Sequence, residues 1–172
     1  IGPNGSGKST LLKAIAGIYP LAEGTLTVAG EIRSLFDILL GFEMEATGRE
    51  NILYRGLLMG EPPAAVSARQ DEITAFADIG EFIDYPVKAY SAGMLIRLAF
   101  AISTAFHNDI LLLDEIIGAG DAAFLQKAAA RIDDMVSRAR IMLLVSHDMT
   151  AIERMCTRAI CLREGLIVDD GP

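Results

Sequence analysis

The stretch that most constrains this chain lies at its start and reads Gly2-Pro3-Asn4-Gly5-Ser6-Gly7-Lys8-Ser9-Thr10. It fits G-x-x-x-x-G-K-[ST], the pattern of a phosphate-binding loop. Its glycines allow the tight turn that points backbone N–H groups at a phosphate. Lys8 supplies a positive charge for the β- and γ-phosphates, and the Ser9 hydroxyl is a ligand for Mg²⁺. All nine residues are therefore candidates for nucleotide binding.

An apolar periodicity follows the loop and predicts a helix, carried by Leu11, Leu12, Ile15, Ala16 and Ile18. The positive N-terminal end of that helix would face the same anion. The alternative is a chance match in a Gly-rich turn, which residue frequencies put at roughly 0.5% of chains of this length. The adjoining helix makes chance less plausible still.

Composition sets the broader bounds. A length of 172 residues and a hydrophobic content of 52% predict one domain with well-buried strands. The sequence has no apolar run long enough for a transmembrane helix, and a net charge of −8 argues against nucleic acid as a partner. Cys156 and Cys161 lack metal spacing and are expected to pack as small apolar residues. A phosphate loop needs a preceding strand, so the start at Ile1 predicts an N-terminally truncated fragment.

The predicted elements indicate an α/β fold. Alternation at residues 25–28 and an apolar stretch at 32–40 predict two strands. A capping-box spacing from Thr47 to Glu50 starts a helix before Ile52, Leu53, Leu57 and Leu58, and Pro62-Pro63 stops it. A further helix carries Ile73, Phe76 and Ala77 on one face. Residues 46–88 thus read as a helical insertion.

The second half alternates helices with strands. A helix from Ser91 to residue 107 is followed by a strand at 110–113 that is expected to be buried on both faces. A helix at 122–137, a buried strand at 141–145 and a helix at 149–155 come next. A hairpin of 158–162 and 166–168, joined by Glu164-Gly165, ends the chain. The pattern predicts a parallel-sheet core with a helical insertion and a terminal β-hairpin.

Two carboxylates, Asp114 and Glu115, follow the strand at 110–113. Ligands of α/β sheets bind at the carboxyl ends of strands, and nucleotide hydrolysis needs a carboxylate for Mg²⁺ and another to act on the attacking water. The structural alternative is a strand end that simply meets solvent. The phosphate loop favours the catalytic interpretation.

Four motifs, of which the phosphate loop is the first and the Walker B strand with its D-loop the third, resemble in type and order those of the ATP-binding subunits of ABC transporters. Tyr90-Ser91-Ala92-Gly93-Met94 resembles the signature motif, usually Leu-Ser-Gly-Gly-Gln. Residues 110–115 resemble the Walker B strand, and residues 116–121 the D-loop that follows it. Ser146-His147-Asp148 resembles the switch-histidine segment. The resemblance covers nearly the whole chain and implies a P-loop NTPase (RecA-like) core.

The resemblance implies a mechanism that uses ATP and Mg²⁺. Ser9 and Asp114 would hold the metal, Glu115 would act on the water, and His147 would contact the γ-phosphate. Ser91 and Gly93, at a helix N-terminus, would close over the γ-phosphate bound by a second copy in a head-to-tail dimer, with Asp121 as the D-loop aspartate. A lone histidine is more often structural, and His107 is assigned to that class.

Three features depart from the family pattern. The family's glutamine between core and insertion is missing, since the only glutamines are Gln70 and Gln126, and Glu43 or Glu45 is the candidate substitute. The signature carries Tyr90, Ala92 and Met94 in place of Leu, Gly and Gln. The aromatic residue that stacks on adenine in the family would precede residue 1.

Several segments resemble the ATP-binding subunits of bacterial polysaccharide exporters, namely residues 40–42, 47–52, 90–94 and 118–124. That resemblance implies export of O-antigen, capsule or teichoic-acid chains from the cytoplasmic face of the inner membrane. It implies an integral membrane subunit as partner, docked around Phe42 to Arg49, and indirect contact with a lipid-linked polysaccharide. Some members carry a C-terminal carbohydrate-binding domain.

Three alternatives stay open. One is a soluble ABC protein of ribosomes or DNA, against which the short insertion and the negative charge argue. Another is an ABC exporter of a different substrate. The third is a regulatory binder that holds ATP without hydrolysis, which the intact Lys8, Asp114, Glu115 and His147 disfavour.

Overall fold

The computed structural model describes residues 1–114 and 121–172. The chain divides into two compact units. The first comprises Ile1–Phe36, Asn108–Ile117 and Val136–Pro172, and the second comprises Asp37–His107 and Gly118–Met135. The predicted insertion at 46–88 lies inside the second unit, and its status as a separate subdomain stays a prediction. In the described ranges, no helix is long and apolar enough to cross a membrane.

The first unit is built on a parallel sheet of three strands, β1 (Ile32–Ser34), β2 (Ile110–Asp114) and β3 (Ile141–Val145), in the order β1-β2-β3. The helix predicted after the phosphate loop is α1 (Lys8–Ile15). Its Leu12 packs with Ile110, Leu112 and Val145, so burial of one apolar stripe seats the helix on the sheet. The parallel α/β architecture is confirmed.

The same unit ends in the predicted hairpin. Strands β4 (Ala159–Arg163) and β5 (Leu166–Gly171) pair antiparallel. Glu164 and Gly165 both take positive φ, 51° and 80°, which matches the right-handed twist of the strands that they join. Between β3 and β4 lies a short helix, α6 (Met149–Met155). Both cysteines of the chain are partly buried and free.

The second unit is helical. It contains α2 (Gly48–Leu58), α3 (Pro63–Ala77), α4 (Ala92–Ser103) and, up to Met135, α5 (Ala122–Arg138). Two 3₁₀ turns, at Gly80–Asp84 and Val87–Ala89, join α3 to α4. Phe100 packs against Phe76 and Phe124 with ring centroids 5.8 Å apart in each pair, so one aromatic cluster holds α3, α4 and α5 together.

Helix α2 begins where the capping box predicts. Thr47 accepts a hydrogen bond from the Glu50 N–H and the Glu50 side chain accepts one from the Thr47 N–H. Of the apolar residues that follow the cap, Ile52 is buried, whereas Leu53, Leu57 and Leu58 are exposed; the other buried positions are Gly48, Asn51, Arg55 and Gly56. Packing against α3 and the preceding loop, and not hydrophobicity alone, decides which face is buried.

Three strand predictions need correction. Residues 25–28 are exposed and form no strand, since no other described strand pairs with them. The strand predicted at 32–40 stops at Ser34, because the chain turns at Asp37 with φ 55°. Strand β3 is not buried on both faces: it pairs only with β2 among the described strands, and Ile141 is 52% exposed.

Helix α4 is shorter than the predicted 91–107. It ends at Ser103, and the Thr104 hydroxyl donates a hydrogen bond to the Phe100 carbonyl. Residues 104–108 form an irregular turn between α4 and β2.

Candidate nucleotide-binding site

The phosphate loop adopts the conformation that its glycines predict. Gly2, Gly5 and Gly7 have positive φ, at 145°, 78° and 99°. At Gly2 a Cβ atom would lie 2.1 Å from the Leu162 carbonyl oxygen, so the loop approaches β4 closely enough to exclude any side chain. Gly2 is therefore required by space as well as by backbone angle, whereas Gly5 and Gly7 are favoured by backbone angle alone.

A buried polar atom inside the loop indicates what the loop holds. The Ser6 side chain is 2% exposed, and its Oγ has no hydrogen-bond partner among the described residues. Gly7 is the N-cap of α1 and provides no side-chain cap, so the first N–H groups of the helix remain available. Unsatisfied donors beside a helix N-terminus fit a phosphate group.

Lys8 is held over the loop. Its Nζ donates to the carbonyl oxygens of Gly2 at 2.8 Å and Pro3 at 2.9 Å, and the residue is only 7% exposed. These acceptors are neutral, whereas a phosphate oxygen forms a stronger, charge-assisted bond. Lys8 is thus placed to move from backbone carbonyls to a phosphate.

The hairpin turn contacts the same loop. The Gly165 N–H donates to the Ser6 carbonyl at 3.1 Å, and the Ile1 carbonyl accepts from the Leu162 N–H at 2.8 Å. Sequence reasoning located this turn but not its contact, because nothing local links residue 6 to residue 165.

The carboxyl ends of β2 and β3 carry the other predicted residues of this unit. Asp114 ends β2, is half-buried and lies opposite Val145 in the parallel register. His147 follows β3 on an exposed turn, in which the Ser146 Oγ accepts from the Asp148 N–H at 3.0 Å. The Asp148 Oδ1 in turn accepts from the Thr150 N–H and starts α6. Glu115 lies outside the described residues.

Magnesium chemistry fits the side chains that are present. Residues 1–114 and 121–172 contain no group of three or more His, Cys, Asp or Glu side chains able to hold a metal. Mg²⁺ usually takes one or two protein oxygens and completes its shell with phosphate oxygens and water. The Ser9 hydroxyl and the Asp114 carboxylate supply oxygens of the required kind.

The predicted signature residues lie in the second unit, at the start of α4. Ser91 is the N-cap, and its Oγ accepts from the Met94 N–H at 3.2 Å. A Cβ atom at Gly93 would meet only the Ser91 Oγ, at 3.9 Å, so this end of the helix is open. Apart from the capped N–H of Met94, the first N–H groups of this twelve-residue helix remain available to a ligand.

Asp121 starts α5. Its Oδ1 accepts from the Phe124 N–H at 2.9 Å, and its Oδ2 pairs with Arg97 of α4. The Phe124 N–H and then the Arg97 guanidinium hold the pKa of Asp121 below its usual range. Sequence reasoning placed Asp121 but missed Arg97, which ties Asp121 to the signature helix.

Two residues at which the sequence departs from the family motifs, Tyr90 and Glu45, make specific contacts in the second unit. The Tyr90 hydroxyl donates to the Phe82 carbonyl at 2.6 Å, and a Cβ atom at Gly48 would lie 2.2 Å from that hydroxyl. Tyr90 therefore packs on the first residue of α2, and its burial raises its pKa. Glu45, one candidate for the missing glutamine, pairs with Lys88 at 2.5 Å.

A phosphate loop at the start of a helix, seated on a parallel sheet, defines a P-loop nucleotide-binding domain. The family model described as "ABC transporter" matches residues 1–118. The chain belongs to the ABC transporter family and represents its ATP-binding part.

Similar proteins include several export ATP-binding proteins. The O-antigen export system ATP-binding protein RfbB of Myxococcus xanthus is 47% identical over 97% of this chain and 38% of its own length. The corresponding RfbE of Yersinia enterocolitica is 41% identical over 99% of this chain and 71% of its own. The teichoic acids export ATP-binding protein TagH of Lactiplantibacillus plantarum is 40% identical over 99% of this chain and 47% of its own length. The chain thus spans 38% to 71% of these relatives' lengths.

Solved structures share the fold. An ATP-binding subunit of an ABC transporter superposes with a TM-score of 0.80 at 20% identity, covering 99% of this chain and 76% of that one. A dimeric ATP-binding cassette in a post-hydrolysis state, bound to ADP and Pi, superposes with a TM-score of 0.74 at 22% identity. This match covers 98% of this chain and 82% of that one. At these identities the likeness establishes the fold.

Proposed function

We propose that this chain is the ATP-binding and ATP-hydrolysing part of an ABC exporter that moves a lipid-linked polysaccharide across the inner membrane. The observation that carries the nucleotide assignment is the phosphate loop, with its buried and unsatisfied Ser6 Oγ beside the open N-terminus of α1. The polysaccharide assignment is supported by relatives whose names specify O-antigen or teichoic-acid export.

The loop residues 2–10 bind the phosphates, and Ser9 with Asp114 holds Mg²⁺. When bound, MgATP supplies the phosphoryl group, and the metal neutralises charge on its oxygens. Glu115 orients the attacking water and accepts its proton, while His147 donates a hydrogen bond toward the γ-phosphate. The position of His147 just beyond β3 supports this role, because ligands bind at the carboxyl ends of parallel strands.

A second copy completes the site. Ser91 and Gly93 present the N-terminus of α4 to the γ-phosphate bound by the other copy, and Asp121 lies in the same contact. The open space around Gly93 supports this arrangement, since an anion must approach the helix end directly. Two copies related head to tail would enclose two ATP molecules.

The membrane subunit is proposed to dock around Phe42 to Arg49. Large apolar side chains are exposed on the segment before α2 and on α2 itself, namely Leu39, Leu40, Met44, Leu57 and Leu58. Exposed apolar groups gathered on one unit are typical of a protein interface. The net charge of −8 disfavours a nucleic-acid partner. The chain would then lie peripherally on the cytoplasmic face of the membrane.

Glu115→Gln in the full-length protein tests the catalytic assignment. Loss of a positioned general base should reduce steady-state hydrolysis by at least about a hundredfold. Binding of ATP should persist and trap a dimer that is visible by size-exclusion chromatography. Glu153→Gln, an exposed site on α6, is the matched control and should hydrolyse ATP as the parent does. Normal turnover by the Glu115 variant would remove that residue from catalysis.

A further inference from the structure

Asn51 of α2 is a fully buried polar residue, 0% exposed, and its side-chain amide is hydrogen-bonded to the loop before its helix. Its Oδ1 accepts from the Glu43 N–H at 2.8 Å. Its Nδ2 donates to the carbonyls of Glu43 at 2.8 Å and Thr47 at 2.9 Å, with Ala46 at 3.3 Å. One amide therefore fixes the backbone of residues 43–47.

That loop is in turn bonded to residues 85–88, and the two segments together are called the clamp here. The Val87 N–H donates to the Ala46 carbonyl and the Lys88 N–H to the Met44 carbonyl, each at 2.9 Å. The Gly48 N–H donates to the Tyr85 carbonyl at 3.3 Å. The clamp is thus a short ladder of backbone hydrogen bonds, and the Asn51 side chain is bonded to the segment 43–47 on one side of it.

The clamp leads directly to the start of α4. The Tyr90 N–H donates to the Val87 carbonyl at 2.9 Å, and the Tyr90 side chain packs against Gly48. Ser91, the N-cap of α4, is the next residue. A series of hydrogen bonds therefore connects Asn51, through the clamp, to Tyr90, the residue before Ser91.

We propose that Asn51 is a positioning residue for the signature site of Ser91 and Gly93, acting through the clamp. This inference rests on the proposed function, in which that site binds the nucleotide of a second copy. Removing the amide would leave the Glu43 N–H without its partner and the carbonyls of Glu43, Ala46 and Thr47 with one hydrogen bond fewer, and the loop would shift to regain hydrogen bonds. The shift would move Tyr90 and Ser91.

A purely structural role predicts a different result from a positioning role. General destabilisation of the second unit would lower the melting temperature without a selective effect on dimerisation. Misplacement of Ser91 would weaken closure of the nucleotide-bound dimer and leave nucleotide binding to the monomer unchanged, since the phosphate loop belongs to the other unit.

The test uses the full-length protein with Mg²⁺ and a non-hydrolysable ATP analogue. Sedimentation gives the dimer dissociation constant, and titration of dilute protein with a fluorescent analogue gives the affinity of the monomer. Asn51→Ala and Asn51→Asp should weaken the dimer by about tenfold, the equivalent of one hydrogen bond of about 1.4 kcal/mol. Monomer affinity should stay as in the parent. Ile73→Ala, at a buried position of α3, should lower the melting temperature and leave the dimer constant unchanged.

Gly48→Ala provides a second route should the Asn51 variants fail to fold. Its Cβ would lie 2.2 Å from the Tyr90 hydroxyl and 3.1 Å from atoms of Ile83, so the variant should weaken the dimer, and adding Tyr90→Phe, which removes the shortest of these contacts, should restore part of the loss. Folded Asn51 variants that dimerise like the parent would overturn the inference, as would Ile73→Ala weakening the dimer equally. Absence of nucleotide-driven dimerisation in the parent would instead overturn the proposed function.

Discussion

At the scale of the residue, the phosphate loop contains one glycine, Gly2, at which a Cβ atom does not fit. The obstruction is the backbone oxygen of Leu162, which cannot rotate away as a side chain could. Gly17 also has positive φ, at 75°, but a Cβ atom there would have nothing within 4 Å. Substituting each glycine by alanine therefore distinguishes the effect of a steric clash, at Gly2, from the effect of backbone strain alone, at Gly17.

Gly2→Ala is expected to lower the affinity for ATP by at least about tenfold, since the loop must leave β4 and its N–H groups then lose their alignment. Gly17→Ala should cost about 1–2 kcal/mol of stability through left-handed strain, with ATP affinity unchanged. Fluorescent-nucleotide titration and thermal unfolding of the full-length protein measure the two effects. Equal ATP affinity in the Gly2 variant and the parent would contradict the geometry described for the loop.

At the scale of the element, the N-terminus of α2 is fixed by its capping box and makes stability depend on pH. The Thr47 N–H and then the Thr47 hydroxyl lower the pKa of Glu50. A carboxyl whose pKa is lower in the folded state stabilises the fold above its unfolded pKa, near pH 4.3, and loses that contribution as the pH falls through the folded value.

Glu50→Gln should therefore reduce stability most at neutral pH and progressively less below about pH 4. Urea unfolding of the parent and the variant at pH 7, 5 and 3.5 checks this expectation. A difference in unfolding midpoint that stays constant across the three pH values would show that the charge of Glu50 does not contribute through the cap.

Elements defined by local signals were predictable, whereas those defined by distant partners were not. The cap of Thr47 and the turn of Glu164-Gly165 each depend on residues no more than three positions apart in the sequence, and both were confirmed. Residues 25–28 have the alternation of a strand, but a strand also needs a neighbour to pair with. Asn51 was missed for the same reason, because its partners are backbone groups that no sequence pattern displays.

At the scale of the whole molecule, the motifs predicted the family correctly because each combines a residue type with a position in the fold. Lys8 and Asp114 stand at the loop and strand end that the sequence assigned to them. The roles of Glu115, Ser91 and His147 remain proposals, since they require a bound nucleotide and a second copy to act.

The most direct test of the proposed function is ATP turnover by the full-length protein, measured across protein concentrations and with and without any membrane subunit that co-purifies with it. We predict specific activity that rises with protein concentration, because in the proposed function a second copy completes the site, and that changes when a membrane subunit is present. Turnover indifferent to concentration and to the subunit would contradict a transport motor and favour a soluble ABC protein. Binding of ATP without turnover would contradict hydrolysis itself and favour a regulatory binder.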